Sequence, residues 1–247
     1  MNTNGKTSAS ELCLHLLLTA IAPLQGMLDR PGITHEFCNR QALQILRSDG
    51  FTRYAEFLEL FRRELDCGVY WADQGWKNVH HYFEPASGKG LWHFASARHE
   101  FAAYYRMALF SLRRADLRRA AFLLGAAAHL VQDMCVPHHA RAKILDGHKQ
   151  YETWVEQRFD RYAVTTRGVY GEGRAPCSLL LANAVVAADF FDAVKREDDE
   201  ASYHSATEIM LPLAQRTTAG LLWHFANEAV KAGIDITTAV AGYKAVA

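Results

Sequence analysis

The chain has 247 residues, 50% of them hydrophobic, which is enough to build a sizeable core in one large domain or two small ones. Lysine plus arginine equals aspartate plus glutamate at 27 each, so there is no net charge to attract nucleic acid or an anionic membrane. Five cysteines are scattered without a CxxC pair or a disulfide spacing, and they do not indicate a compartment.

Residues 1–30 form an N-terminal apolar segment. The run from Leu12 to Leu24 has the length of a signal-peptide core, but Glu11 stands at its head and Lys6 is the only basic residue before it. The segment is compatible with a signal peptide and equally with a helix packed on the domain. The run is too short for a transmembrane helix, so no membrane span is predicted. Residues 31–247 are predicted to form one helical domain, since no linker interrupts them.

Two amphipathic helices are predicted at the start of this domain. The first begins at His35 behind a capping Thr34, so His35 lies in the first helical turn. The second runs from about Thr52 to Cys67, with apolar residues on one face and charged residues on the other, and Gly68 is predicted to end it.

The stretch from Gly68 to Gly90 is predicted to be a long irregular loop. It contains Asp73, His80 and His81 among several aromatic residues. Loops of this length without a periodicity of their own are often functional, although aromatic loops also simply cover cores.

The central element is a predicted helix from Asp116 to Met134, which follows another from Phe94 to Arg113. Its second half is almost entirely apolar, which is typical of a helix buried on all sides. His129 and Asp133 are four residues apart on it and share one face. Because burial of an unpaired carboxylate is costly, a bound metal ion is the simplest compensation.

A second pair of ligand-type residues follows a histidine-bearing turn. Pro137 is predicted to end the central helix, which places His138 and His139 on the turn, and spacing alone does not choose between them. His148 and Glu152 then stand four apart on the next helix, which is predicted near His148 to Tyr162. Imidazole nitrogens combined with carboxylate oxygens suit zinc better than calcium or magnesium.

The remaining sequence predicts helices near Ser178 to Lys195 and Tyr203 to Ala232, with no convincing strand alternation, so the fold class is all-α. Some further histidine and acid pairs have the same spacing but no histidine-bearing turn beside them, and ordinary core or surface roles are predicted for these. They are Glu11 with His15, His204 with Glu208, and His224 with Glu228.

The ordered motifs resemble those of the bacterial zinc-dependent phospholipase C family. The motifs are THEFCNRQAL, GVYWAD, HYFEP, the HxxxD of the central helix, a Pro-x-His turn, and HxxxE. Weaker similarity runs through AVVAADFF and AQRTTAG, so the likeness covers nearly all of the chain after residue 30.

This resemblance implies a helical domain that encloses a site for two to three zinc ions. When the family's metal ligands are carried over by position, the resemblance favours His81 over His80, and His139 over His138, as ligands. One ion would be held by His129, Asp133, Asp73 and His81, a second by His139, His148 and Glu152, and a third by His35 with Asp133 as a bridge.

The implied activity is hydrolysis of phospholipids to diacylglycerol and a phosphorylated headgroup. Zinc would lower the pKa of a bound water toward about 7, and Asp73 would orient or deprotonate that water as the catalytic residue. The resemblance implies a phospholipid substrate and transient contact with a lipid surface, and favours a secreted or periplasmic location. The sequence itself leaves the compartment open.

Two departures from the family pattern concern the third ion and the headgroup. In the family an N-terminal tryptophan completes the third zinc site, whereas here no tryptophan precedes Trp71. Gln74 and Asn78 stand at the positions that resemble the family's choline-contacting aromatics, so a preference for phosphatidylcholine is not implied.

Two other functions are compatible with the motifs. A single-strand-specific nuclease of the same superfamily has a similar pattern, but its last motif is HxxxD and follows after a longer gap. Glu152 and the short interval from His139 to His148 therefore favour the phospholipase. The other alternative is a zinc-binding protein without turnover, in which the metal only stabilises the fold.

Overall fold

The computed structural model describes residues 32–92, 94–171, 173, 175–195, 199–238 and 240. The predicted apolar segment 1–30 and its pair of Glu11 and His15 lie outside these residues. The α-helices are α1 Ile33–Ser48, α2 Thr52–Glu59, α3 Arg62–Asp73, α4 Ala97–Arg113, α5 Leu117–Asp133, α6 Pro137–Ala140, α7 His148–Glu156, α8 Cys177–Ala188, α9 Phe191–Val194 and α10 Glu200–Lys231.

The all-α prediction is confirmed. Two short 3₁₀ helices, Gly75–His80 and Phe159–Tyr162, supplement the α-helices. Within the described ranges there is no β-strand, only an isolated antiparallel bridge between Glu84 and Lys89. None of the helices in this part of the chain has the length and apolar character needed to cross a membrane.

Helix α5 lies at the centre of the fold. Every residue from Leu123 to Asp133 is buried, as its continuous apolar sequence predicts. The carboxylate of Asp116 accepts a hydrogen bond from the amide of Arg119 and so caps the N-terminus of the helix. Helices α3 and α4 make the most extensive contacts with it, and the long helix α10 packs on α1 and α5.

A pair of glycines lets α3 and α5 pack backbone against backbone. A Cβ atom added at Gly68 of α3 would collide with the carbonyl oxygen of Phe122, and one added at Gly125 of α5 would collide with that of Leu65. The two helices therefore cross more closely than any side chain would allow. This crossing places the C-terminal end of α3 beside the last turns of α5.

The prediction that Gly68 ends its helix was wrong. The chain forms two helices where one was predicted, with a break at Leu60 and Phe61, and α3 then continues through Gly68 to Asp73. Helix-breaking propensity of glycine is overridden here because the close contact with α5 requires a residue without a side chain. The predicted long loop is correspondingly shorter, and the 3₁₀ helix Gly75–His80 occupies much of its first half.

The structure also corrects the role of Pro137. Helix α5 ends at Asp133, and Pro137 instead forms the first residue of the short helix α6, which carries His138 and His139. Val136 before it is extended, as expected for a residue that precedes proline. Proline is favoured at a first helical position because its missing amide donor would be unpaired there anyway.

Other boundaries differ by a few residues. Gly32, with a φ of 100°, takes the N-cap position that was predicted for Thr34. The predicted helix over Ser178 to Lys195 is interrupted before Phe191, and that from His148 ends at Glu156. Shifts of this size are common at helix ends, where local sequence signals are weak.

Candidate metal centre

Four different elements bring ligand-type side chains to the C-terminal end of α5. His129 and Asp133 project from one face of α5 and are 0% and 3% exposed. Asp73, the last residue of α3, lies beside them because of the close glycine crossing. His81, just after the 3₁₀ helix, adds a third element, and His35 in the first turn of α1 adds a fourth.

Four donor atoms of this group lie at the distances expected around one small cation. The His81 Nδ1 to Asp133 Oδ2 distance is 2.9 Å, and His129 Nε2 lies 3.1 Å from that oxygen and 3.1 Å from His81 Nδ1. Asp73 Oδ1 lies 3.4 Å from His129 Nε2 and 3.6 Å from His81 Nδ1. Tetrahedral zinc ligands, each about 2.0 to 2.1 Å from the metal, would be separated by about 3.3 Å.

A missing hydrogen bond in this group also fits a bound cation. Asp133 Oδ2 is buried and makes no hydrogen bond of acceptable geometry within the described residues, although two imidazole nitrogens lie close to it. A buried carboxylate oxygen without a hydrogen bond is costly unless another positive group neutralises it. The residues present therefore fit a zinc ion at this position.

The two oxygens of Asp133 face different histidines. Oδ2 faces His81 and His129, while Oδ1 lies 3.5 Å from Nε2 of His35. The imidazole of His35 stacks on that of His129, with the ring centroids 4.1 Å apart. A carboxylate in this arrangement can bridge two cations, one through each oxygen.

A second group of donor atoms is formed by α6 and α7. Glu152 Oε1 lies 2.9 Å from His148 Nε2 and 3.4 Å from His139 Nε2. The Nδ1–H of His139 donates to the backbone carbonyl of His81 at 2.9 Å, which leaves Nε2 to face the carboxylate. The backbone amide of Phe83 donates in return to the carbonyl of His139, so the two groups are held together by main-chain contacts.

In each pair of neighbouring histidines, where spacing alone could not choose a ligand, the two side chains make different contacts. His81 and His139 lie within the two groups, whereas His80 and His138 point elsewhere. Nδ1 of His80 lies 3.1 Å from the carbonyl oxygen of Ala95. Nε2 of His138 lies 2.8 Å from that of Asp146, and its ring stacks on the ring of His148.

Ligand-type atoms within 4.8 Å of one another form three groups in the described part of the chain. Together these groups contain all eight residues that the motifs predicted, and no other residue. They are His35 with Asp73 and His129, His81 with His129 and Asp133, and His139 with His148 and Glu152. The other described pairs with the same spacing, those of His204 and His224, contribute to none of them.

The carboxylates keep the pKa values of two histidines high in the metal-free protein. Burial alone would lower the pKa of His129, but Asp133 and Asp73 raise it to about 10. Burial also opposes protonation of His139, and there Asp133 and Glu152 raise the pKa to about 9. In turn the neighbouring imidazoles hold the pKa values of Asp133 and Glu152 well below the usual range, against the effect of burial.

Both groups of donor atoms open onto one cavity of about 570 Å³. Asp73, His139 and Glu152 lie on its wall together with apolar residues of α10 such as Met210 and Leu211. The cavity is large enough for a small organic ligand and offers polar and apolar surface.

Two supporting residues were not found by sequence reasoning. Tyr82 stacks on the ring of His139, with centroids 4.6 Å apart and an angle of 11° between the planes. Gln132, 3% exposed, bonds to His35 through Oε1 at 2.7 Å. Gln132 could have been noticed as a third polar residue in the otherwise apolar second half of α5, whereas nothing local marks Tyr82.

The chain was compared with known proteins. A family model described as zinc dependent phospholipase C matches residues 34–209. A phospholipase C from Paraclostridium bifermentans is 28% identical, over 60% of this chain and 44% of that protein. One from Bacillus cereus is 31% identical, over 53% of this chain and 51% of that protein.

The fold is shared with a solved bacterial toxin. An alpha toxin from Clostridium absonum superposes with a TM-score of 0.69 at 20% identity, over 79% of this chain and 63% of the toxin chain. The chain spans about half the length of the two curated relatives, at 44% and 51%.

Proposed function

Because the chain belongs to the zinc dependent phospholipase C family, whose model matches residues 34–209, we propose that it hydrolyses the phosphodiester bond of phospholipids. The products would be diacylglycerol and a phosphorylated headgroup. The observation that carries this proposal is the convergence of eight ligand-type residues from distant parts of the chain, six of which line one cavity. We further propose that residues 31–247 form one domain, since the buried core runs from Phe37 to Val240.

Zinc dependence follows from the family, and we propose that two to three ions are bound. His81, His129, Asp73 and Asp133 would hold one, and His139, His148 and Glu152 a second, while His35 and Oδ1 of Asp133 would contribute to a third. Zinc at such positions polarises phosphoryl oxygens and lowers the pKa of water, which is the chemistry that this hydrolysis requires.

Asp73 is our candidate for the catalytic proton acceptor. Its side chain is 29% exposed and lies on the cavity wall, in contrast to the 4% exposed side chain of Asp133. Burial would raise its pKa, but His129 and His81 lower it below the usual value, so the carboxylate stays ionised and can accept a proton from an attacking water. Both carboxylates line the cavity, and that of Asp73 is the more exposed of the two, which favours it as the one that meets a substrate.

The first test compares substrates. We expect the zinc-loaded protein to hydrolyse phospholipids in mixed micelles faster than single-stranded oligonucleotides, because the chain has no net positive charge to bind a polyanion. A panel of headgroups should be used, since the amide side chains of Gln74 and Asn78 line the cavity. Release of phosphorylated headgroup and of nucleotides is measured on one preparation.

Faster cleavage of oligonucleotides than of phospholipids would favour the alternative function of a single-strand-specific nuclease. Bound zinc without hydrolysis of any of these phosphodiesters would favour a zinc-binding protein without turnover.

A surface beside the cavity supports contact with lipid. Leu145 is 77% exposed and Ile144 40% exposed in the loop before α7, and Ile144 also lines the cavity. Two exposed lysines, Lys143 and Lys149, flank them. Apolar tips with adjacent basic residues suit the interface of an anionic membrane. We propose that this loop contacts the lipid surface when substrate enters.

Replacing Leu145 by glutamate should lower activity on anionic vesicles by about tenfold, because inserting one leucine contributes about 1.5 kcal/mol or more. Phe110→Glu is the matched control, since Phe110 is 62% exposed and does not line the cavity. Both variants should cleave a soluble phosphodiester at the rate of the unmodified protein. Equal losses on vesicles from the two variants would contradict a specific role of this loop.

A further inference from the structure

Gln132 lies between the candidate ligands and the core, and each polar atom of its amide has a partner. Its Oε1 lies 2.7 Å from Nδ1 of His35. Its Nε2 donates to Oδ1 of Asn39 and to Oγ1 of Thr218, both at 3.1 Å. Asn39 and Thr218 are fully buried, so water does not compete for these bonds.

The direction of these hydrogen bonds is fixed at both ends. The hydroxyl of Thr218 donates to the carbonyl of Ala214 at 2.7 Å, so its oxygen can only accept from Gln132. Nδ2 of Asn39 donates to Oδ1 of Asp66 at 3.0 Å, so the amide oxygen of Asn39 also accepts. Burial raises the pKa of Asp66 to about 6, which leaves it an ionised acceptor at pH 8.

The tautomer of His35 follows from these directions. Since Nε2 of Gln132 serves both acceptors, its Oε1 must face His35 and accept the proton of Nδ1. Nε2 of His35 then carries the lone pair, and it lies 3.5 Å from Oδ1 of Asp133. A histidine that binds a metal generally donates its other ring N–H to a fixed acceptor, which sets the tautomer and the ring orientation.

We propose that Gln132 is a positioning residue, which holds His35 in the Nδ1-protonated tautomer and so prepares its Nε2 to bind the cation next to Oδ1 of Asp133. The part that concerns zinc rests on the proposed function. The part that concerns the tautomer is a property of the metal-free chain and does not depend on activity.

The tautomer is tested first, by ¹⁵N NMR of histidine side chains in the metal-free protein at pH 8. The signal of His35 is identified by its absence in His35→Gln. We expect a single Nδ1–H tautomer in the unmodified protein and a mixture, or the Nε2–H form, in Gln132→Met. An Nε2–H form in the unmodified protein would overturn the proposal, even if Gln132→Met did not fold.

Zinc affinity is tested second, on the same proteins. Gln132→Met should lower the affinity for one zinc ion by about tenfold to a hundredfold and leave the affinity for the others unchanged. Gln215→Met is the matched control, because Gln215 of α10 is also buried and makes three hydrogen bonds, to main-chain groups of Tyr162, Val164 and Leu211, that do not involve a candidate ligand. Gln132→Glu should keep the Nδ1–H tautomer, since a carboxylate also accepts from Nδ1–H, but should be less stable, since it cannot donate to Asn39 and Thr218.

Unchanged affinity for every ion in Gln132→Met, or the same loss in Gln215→Met, would refute the positioning role. A protein that binds no zinc before any substitution would instead refute the proposed function, and the NMR result would still decide the tautomer.

Discussion

Replacing Asp133 by alanine is expected to abolish hydrolysis and to remove more than one zinc ion. Its two oxygens face different histidines, with Oδ1 3.5 Å from His35 and Oδ2 2.9 Å from His81. Removal of this carboxylate takes one negative charge from two neighbouring cation positions at once. A single substitution should therefore lower the zinc content by more than one equivalent.

The same substitution should also destabilise the fold. Without Asp133 the imidazole of His129 is buried beside fewer carboxylates, and a broken buried ion pair costs about 3 to 5 kcal/mol. Loss of metal adds to this cost, because ligand binding to the folded state contributes directly to its stability.

Glu152→Gln is the matched comparison for this prediction. Glu152 contacts only His139 and His148 within the candidate ligand groups, and its side chain is 43% exposed. Its replacement should remove about one ion and leave a stable core. Zinc content by mass spectrometry and thermal melting of both variants decide the matter. Equal losses of zinc from the two variants, or full zinc content in Asp133→Ala, would show that Asp133 does not bridge two ions.

The affinity for the ion held by His129 and that for the ion held by His139 should each increase by about tenfold per pH unit between pH 7 and 8.5. In the metal-free protein, carboxylates raise the pKa of His129 to about 10 and that of His139 to about 9. Both imidazoles are then protonated at neutral pH, and each must release a proton before it can bind a metal. One released proton for each ion corresponds to the expected slope.

The stability of the metal-free protein should change in the opposite direction. Because both folded pKa values lie above the ordinary value of 6.5, the ion pairs of these histidines stabilise the fold fully below about pH 6.5 and less as pH rises toward 9 and 10. Removal of zinc by a chelator should thus lower the melting temperature by more at pH 8.5 than at pH 6.5, and should abolish activity at both.

Calorimetric titration in two buffers of different ionisation enthalpy gives the number of protons released, and melting curves with and without chelator give the change in stability. His139→Gln serves as the control, because it should release one proton fewer. A chelator effect that does not vary with pH, together with no proton release, would contradict the prediction.

The sequence predicted the fold class and the family correctly, and the reasons are local. A helix that is apolar on every side must be central, and two polar residues spaced by four on it need partners. The choice between His138 and His139 could not be made from spacing, because it depends on which ring nitrogen faces the carboxylate of Glu152 and which faces the carbonyl oxygen of Asp146. That the eight residues bind zinc stays a prediction.

Two of the errors concerned Gly68 and Pro137, and both arose because the residue type was read without its tertiary contacts. A glycine that usually ends a helix here permits a helix crossing, since the surface opposite it is the backbone of α5. A proline that usually interrupts a helix here begins one. Gln132 was missed for a related reason, because its role depends on three partners that are distant in the sequence.

The burial of α5 on every side from Leu123 to Asp133 also determines how the protein opens. A helical segment with no solvent-facing side cannot detach without separating its neighbours, so its amide protons should exchange with solvent only when the whole molecule unfolds. Ions held by His129 and Asp133 are attached to this slowest-exchanging segment, in contrast to ions held by a surface loop. Metal occupancy would then control the lifetime of the entire native state, and with it resistance to proteolysis at sites far from the metal.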